Sequence, residues 1–129
     1  MILQDSVGLK NAETDPLYKP YKIVVHLHTR MLYLYQNNKL YKKYPVAVGK
    51  PSTPTPKGNF EVINREENPG GIYGDMWIGL SVPHIGIHGT NEPWLIGKAV
   101  SHGCVRMYNE DVVELAYTIP NGTPVAIVE

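Results

Sequence analysis

The sequence predicts an all-β or β-rich domain, a sandwich or barrel with one short helix. Three observations lead there. Eleven prolines and twelve glycines among 129 residues cut the chain into short elements and exclude a helical bundle. Between those breaks, β-branched and aromatic residues recur in runs, several with two-residue alternation. A single window, opening at Asn109, carries helical character.

The elements follow in chain order. Residues 1–20 are polar and broken by Pro16 and Pro20, which reads as an N-terminal arm or linker before a domain at residues 21–129. Tyr21 to His28 and Met31 to Tyr35 are strands, and Gln36-Asn37-Asn38-Lys39 is a hairpin turn leading back through Leu40 to Val48. Gly49 to Gly58 holds too many prolines for a ladder and is a surface loop. Asn59 to Asn64 is a strand, and Glu66 to Gly74 is a second loop. Met76 to Val82 and Ile85 to His88 are further strands, and Gly89 to Val100 is a long connection. Asn109 reads as an N-cap, with Glu110 and Asp111 in the first turn and apolar Val112, Val113, Leu115 and Ala116 behind. Pro120-Asn121-Gly122 closes that helix, and Thr123 to Val128 is the last strand.

A chain of this length is one domain able to bury a core without staples, and 43% hydrophobic content is a globular value. Its formal net charge is zero, so it lacks the basic excess of a nucleic-acid binder. Basic residues gather between Lys19 and Lys57 and acids between Glu61 and Glu92, read here as a solvated mixed face. No stretch approaches the roughly 18 apolar residues of a membrane span. Met1 to Asp15 shows no basic segment followed by an apolar one, so no signal peptide is read; a cytoplasmic site, a removed leader and another export route all stay open.

Cys104 is the single cysteine, so within this chain it forms no disulfide; it is either a small buried hydrophobe or a reagent. It lies in Ser101-His102-Gly103-Cys104-Val105-Arg106-Met107, sixteen positions after His88 in Ile87-His88-Gly89-Thr90. Ser101, His102 and Gly103 are poor core formers, and Gly103 lets the backbone approach a ligand. That favours the reagent. The amides of Gly103 and Cys104 could converge on a developing oxyanion. His88 is the best base of five histidines, because it ends an apolar strand and the Gly89 carbonyl is free to hold its Nδ1–H. His26 and His28 belong to a polar strand face, and His84 to a turn.

Zinc at His84, His88, His102 and Cys104 is disfavoured, because strand positions four apart lie roughly 13 Å from each other. Arg106 projects to the side of Cys104 in an extended segment and would either bind a substrate carboxylate or tie down a loop. Tyr73, Trp77 and Trp94 would be either an aromatic wall or core, with Trp77 placed in the core.

Taken together, these residues resemble the catalytic domain of the YkuD-type L,D-transpeptidases, bacterial peptidoglycan cross-linking enzymes. The family pattern is a histidine, a loop, then Ser or Thr before His-Gly-Cys, an apolar residue and Asn or Arg. Thr53-Pro54-Thr55-Pro56-Lys57-Gly58-Asn59-Phe60 and Asn68-Pro69-Gly70-Gly71 are also similar to family loops, and the likeness runs from about Tyr21 to Glu129. The resemblance implies a mainly β fold, a β-sandwich of mixed sheets, with the cleft at one end and one short helix after the cysteine. It implies Cys104 as nucleophile, His88 as base, Gly89 as the carbonyl orienting His88, and the backbone of His102, Gly103 and Cys104 as oxyanion hole. Ser101, Tyr73, Trp94 and Arg106 are the expected substrate-binding residues.

The implied reaction forms a thioester on a peptidoglycan stem tetrapeptide, expels D-Ala and makes a 3→3 cross-link. It needs no cofactor or metal, and carbapenems are expected inhibitors. A monomer in the cell wall, periplasm or spore surface is expected. The alternatives are an L,D-carboxypeptidase, a sortase-like acyltransferase and a non-catalytic wall-binding module. The His88-to-Cys104 spacing speaks against the sortase, and the intact pair against the binder.

Overall fold

The computed structural model describes residues 19–129. The arm expected over residues 1–20 therefore lies, apart from Lys19 and Pro20, outside the described residues. Alternation decides the first two strands. β1 (Tyr21–His26) turns Ile23 and Val25 inward, and β2 (Met31–Gln36) does the same with Leu32 and Leu34. They pair antiparallel from Tyr21↔Gln36 to His26↔Met31. Asn37 and Asn38 then take positive φ (51° and 67°), which a tight two-residue hairpin demands and Asn tolerates.

β3 (Lys39–Gly49) and β4 (Gly58–Glu67) are long because each serves two sheets. β3 pairs with β2 as far as Pro45, and its Val46 and Ala47 pair with β8 (Val105–Met107). β4 pairs with β9 (Pro124–Val128) through Glu61 and with β5 (Met76–Leu80) from Val62 onward. One mixed sheet is thus β2–β1–β9–β4, with β1 and β9 parallel. The other runs β4–β5–β6–β8–β3, with β6 (Gly86–His88) parallel to β8. The expected sandwich of mixed sheets is present, and its two shared strands close it into a barrel. β7 (Ala99–Ser101) hangs parallel on the end of β3.

The barrel interior is aliphatic. Ile23, Leu32, Leu34, Val46, Ile78, Ile87, Val105 and Met107 have no exposed surface. At about 1.5–3 kcal/mol for each large side chain removed from water, this core is the main source of stability. The helix α1 (Asn109–Thr118) sets Val112, Leu115 and Ala116 on β5 and β6. Its last turn lacks a basic residue, and Arg65 of β4 supplies the cation from outside, donating to the Ala116 and Ile119 carbonyls and to Asn121.

Several sequence expectations need correction. Tyr108, not Asn109, is the N-cap, and its side chain makes no capping bond. The connection from Gly89 to Val100 is not continuous loop: it contains a 3-10 turn at Pro93–Leu95 and the start of β7. A strand, β8, also follows the cysteine directly, where no strand was read. The first strand ends at His26 and the fifth at Leu80, each two residues early.

Candidate active site

Parallel pairing of β6 and β8 builds the site. Ile87 lies opposite Val105 and His88 opposite Arg106, so Cys104, one residue ahead of β8, comes alongside the backbone of Gly86. The histidine and the cysteine are thus brought to the same end of the barrel. They border a cleft of about 270 Å³ together with Ile72, Tyr73, His84, Ser101, His102 and Arg106.

His88 is only 3% exposed. Its Nδ1 lies 2.6 Å from the Gly89 carbonyl oxygen. A carbonyl only accepts, so Nδ1 carries the proton and Nε2 keeps its lone pair. Trp77, its cross-strand partner, stacks on the imidazole at 5.7 Å and 15°, and Tyr73 meets both rings edge-on. Gly86 makes that stack possible, because a side chain there would stand 2.6 Å from the Trp77 ring. Burial pushes the His88 pKa down to about 4, with Arg106 adding to the fall and the Gly89 bond opposing it.

Cys104 is half-buried, and its Sγ lies 3.6 Å from the His84 carbonyl oxygen. Burial raises its pKa, while the Gly86 backbone and Arg106 pull the other way. Both groups are therefore uncharged at neutral pH, a thiol and an imidazole that border one cleft.

The loop carrying the sulfur is braced from within. Ser101, 1% exposed, accepts from the Gly103 N–H at 3.1 Å and donates to the Cys104 carbonyl at 2.6 Å. Its own carbonyl receives Lys50 N–H at 3.0 Å and Thr53 Oγ1 at 2.7 Å, which sews the proline-rich loop onto the cysteine loop. Gly103 sits at φ +127°, where any side chain is strained. Two expectations change as a result. The Gly103 amide is engaged by Ser101 and not free to meet an oxyanion, and the Ser101 hydroxyl is committed in both directions and shapes the loop.

Of the other expected residues, Tyr73, His102 and Arg106 border the cleft, whereas Trp94 does not. It is 68% exposed on the 3-10 turn Pro93–Leu95. Trp77 is a wall of the histidine and not core. His84, read as a turn residue, sits at φ +66° on the cleft rim. His84, His88, His102 and Cys104 all border the cleft, yet among the described residues no three His, Cys, Asp or Glu groups gather closely enough to hold a metal ion.

Asn109 was missed. Its Oδ1 accepts from the N–H groups of Asp75 (3.0 Å) and Thr90 (3.1 Å), and its Nδ2 donates to the Thr90 carbonyl (3.0 Å). The first residue of α1 thereby clamps the peptide next to Gly89, whose carbonyl holds His88. Gly74 and Gly89 lie so close to this amide that a β-carbon at either would collide with it. An Asn three residues before an apolar helical run resembles an ordinary cap, so nothing local marked it.

Comparison with known proteins identifies the family of the domain. The model of the YkuD family, an L,D-transpeptidase catalytic domain, matches residues 20–127. The chain belongs to this family. It is 54% identical to YkuD of Bacillus licheniformis over 120 residues, which are 93% of this chain and 70% of that protein. With YkuD of Bacillus subtilis it shares 56% identity over 113 residues, 88% of this chain and 69% of the relative. Among solved structures, the Enterococcus faecium L,D-transpeptidase catalytic domain determined by NMR superposes with a TM-score of 0.72 at 27% identity, covering 83% of this chain and 95% of that one. The carbamoyl enzyme of Ldtfm with avibactam gives a TM-score of 0.76 at 29% identity over 87% of this chain. This chain spans 50% of that solved chain's length. The mainly β fold of this YkuD-family domain is the fold of those L,D-transpeptidases.

Proposed function

We propose that this chain is a cysteine L,D-transpeptidase that works on peptidoglycan stem tetrapeptides outside the cytoplasm, as a monomer and without a cofactor. One observation carries the reading: a half-buried thiol and an imidazole whose Nδ1 is fixed on a carbonyl border the same open cleft. Nε2 of His88 takes the Cys104 proton as sulfur attacks the carbonyl of the third stem residue. The amides of His102 and Cys104 face the oxygen as it becomes charged, and each such donor is worth about 3 kcal/mol in comparable sites. The imidazolium returns the proton to the leaving nitrogen, the C–N bond breaks, and D-Ala departs. An acceptor amine of a second stem then attacks the thioester, forming the 3→3 amide and restoring the thiol. Among the described residues no helix is long and apolar enough to cross a membrane.

Intact-mass measurement after incubation with a carbapenem tests the acyl-enzyme. The wild type gains one inhibitor mass, Cys104→Ala gains none, and its melting temperature stays close to wild type. An unmodified wild type, or a Cys104→Ala protein that fails to fold, refutes the reading. Product analysis on isolated muropeptides then separates 3→3 dimers from tripeptides made by hydrolysis.

A further inference from the structure

Among the described residues bordering the cleft, Arg106 carries the only permanent charge. The sequence leaves it two roles, binding a carboxylate or fastening a loop. Two other arginines show what fastening looks like in this molecule. Arg65 donates to two carbonyls and an amide, and Arg30 Nε donates to the Gly97 carbonyl at 2.7 Å. Arg106 makes no comparable bond among the described residues. Its side chain is only 14% exposed, and its Nε is buried without a partner. The nearest anion is Glu92, whose Oε1 stands 3.8 Å from Nη1, beyond hydrogen-bonding distance. A guanidinium removed from water with donors unused is costly, and its flat fork matches the two oxygens of a carboxylate.

Position selects which carboxylate. Arg106 is the cross-strand neighbour of His88, and His88 must protonate the leaving nitrogen. The group attached to that nitrogen is the departing terminal residue, whose carboxylate lies two bonds away. A third-residue side chain hangs instead from the acyl half retained on sulfur. Glu92 is held where it is: its N–H donates to Thr90 Oγ1 at 2.9 Å, and Thr90 is clamped by Asn109.

We propose that Arg106 binds the terminal carboxylate of the donor stem and that Glu92 stands in for it beside the guanidinium when no donor is bound. The inference rests on the acyl-transfer reading above and adds the chemical end-group that the site requires.

The test compares two synthetic tetrapeptide donors, one with a free terminal carboxylate and one with a terminal carboxamide, following donor loss by mass spectrometry. For the wild type, kcat/KM for the amide is lower by about tenfold to a hundredfold, the range of a charge-assisted pair. In Arg106→Ala the acid loses this advantage and the two donors react alike, and Arg106→Lys recovers part of it. In Glu92→Gln, KM for the acid falls. Equal use of both donors by the wild type overturns the inference while leaving the acyl transfer intact, and that comparison needs no variant to fold. A preference that survives in a folded Arg106→Ala overturns it as well. A higher KM in Glu92→Gln removes the stand-in role. Consumption of neither donor by the wild type sinks the functional reading, and this inference with it.

Discussion

Burying His88 between Trp77 and Tyr73, with Nδ1 held by Gly89, leaves an imidazole whose proton affinity is low and whose orientation is fixed. Its pKa of about 4 against an ordinary 6.5 has consequences for rate and for stability. Acylation of Cys104 by a carbapenem should rise with pH through about 4 and be level by neutrality. A limb near 6.5 would mean that the imidazole is not shifted. On unfolding, the ring regains its ordinary affinity, so between these two values the unfolded chain binds the proton first. Stability therefore falls as pH drops from about 6.5 towards 4, by up to about 3 kcal/mol, and changes no further from this source below that. Urea titrations of wild type and His88→Gln across this window should show the slope in the wild type alone. That Cys104 and His88 belong to one candidate site was legible in the sequence, because the Ser-His-Gly run before the thiol is a poor core former and glycine follows the imidazole, and both side chains border the cleft. Ser101 was not. A serine hydroxyl states neither partner nor direction until the chain around it bends. Trp94 misled for a similar reason: lying in a glycine-containing loop near the site does not say which way an indole faces.

At the scale of elements, strands of six or more residues announced themselves through alternation, as Ile23 with Val25 and Leu32 with Leu34 show. β7 and β8, three residues each, did not. Their ladders come from β3 and β6, far off in sequence, and the Ser-His-Gly run that ends β7 and leads towards β8 reads as loop by composition. The start of α1 shows the same limit. Asn109 looks like a cap, but its amide is spent on Asp75 and Thr90, so the helix acts as a bracket for the loop behind His88. Asn109→Ala should cost about 1–3 kcal/mol through its lost hydrogen bonds. It should also slow acylation by about tenfold at a temperature where the variant is fully folded. Because a purely structural bracket would leave the acid limb near pH 4 unchanged, displacement of that limb in the variant is the deciding readout. An unmoved limb with a full rate would confine Asn109 to stability.

Across the whole molecule, β9 is the piece that joins distant parts, lying between β1 and β4 and pairing Ile23 with Val125 and Gly58 with Ile127. Ile127, 1% exposed, projects from it into the core. Ile127→Ala should lower unfolding free energy by about 2–5 kcal/mol, measured by urea denaturation, because the ring offers little room to collapse onto the gap. A loss below about 1 kcal/mol would show that the strand frays independently of the barrel. Closure has one more outcome. Because β2 returns to β3, the described strands close into a circuit, and the stretches laddered on one side only, residues 39–44 of β3 and 64–67 of β4, carry Lys39, Lys42, Lys43, Arg65, Glu66 and Glu67, charges that discourage another polypeptide from pairing there. The strand left outside the circuit, β7, spans three residues, too short a landing for such recruitment. A domain built this way can be crowded against extended peptides without adding them to its sheet.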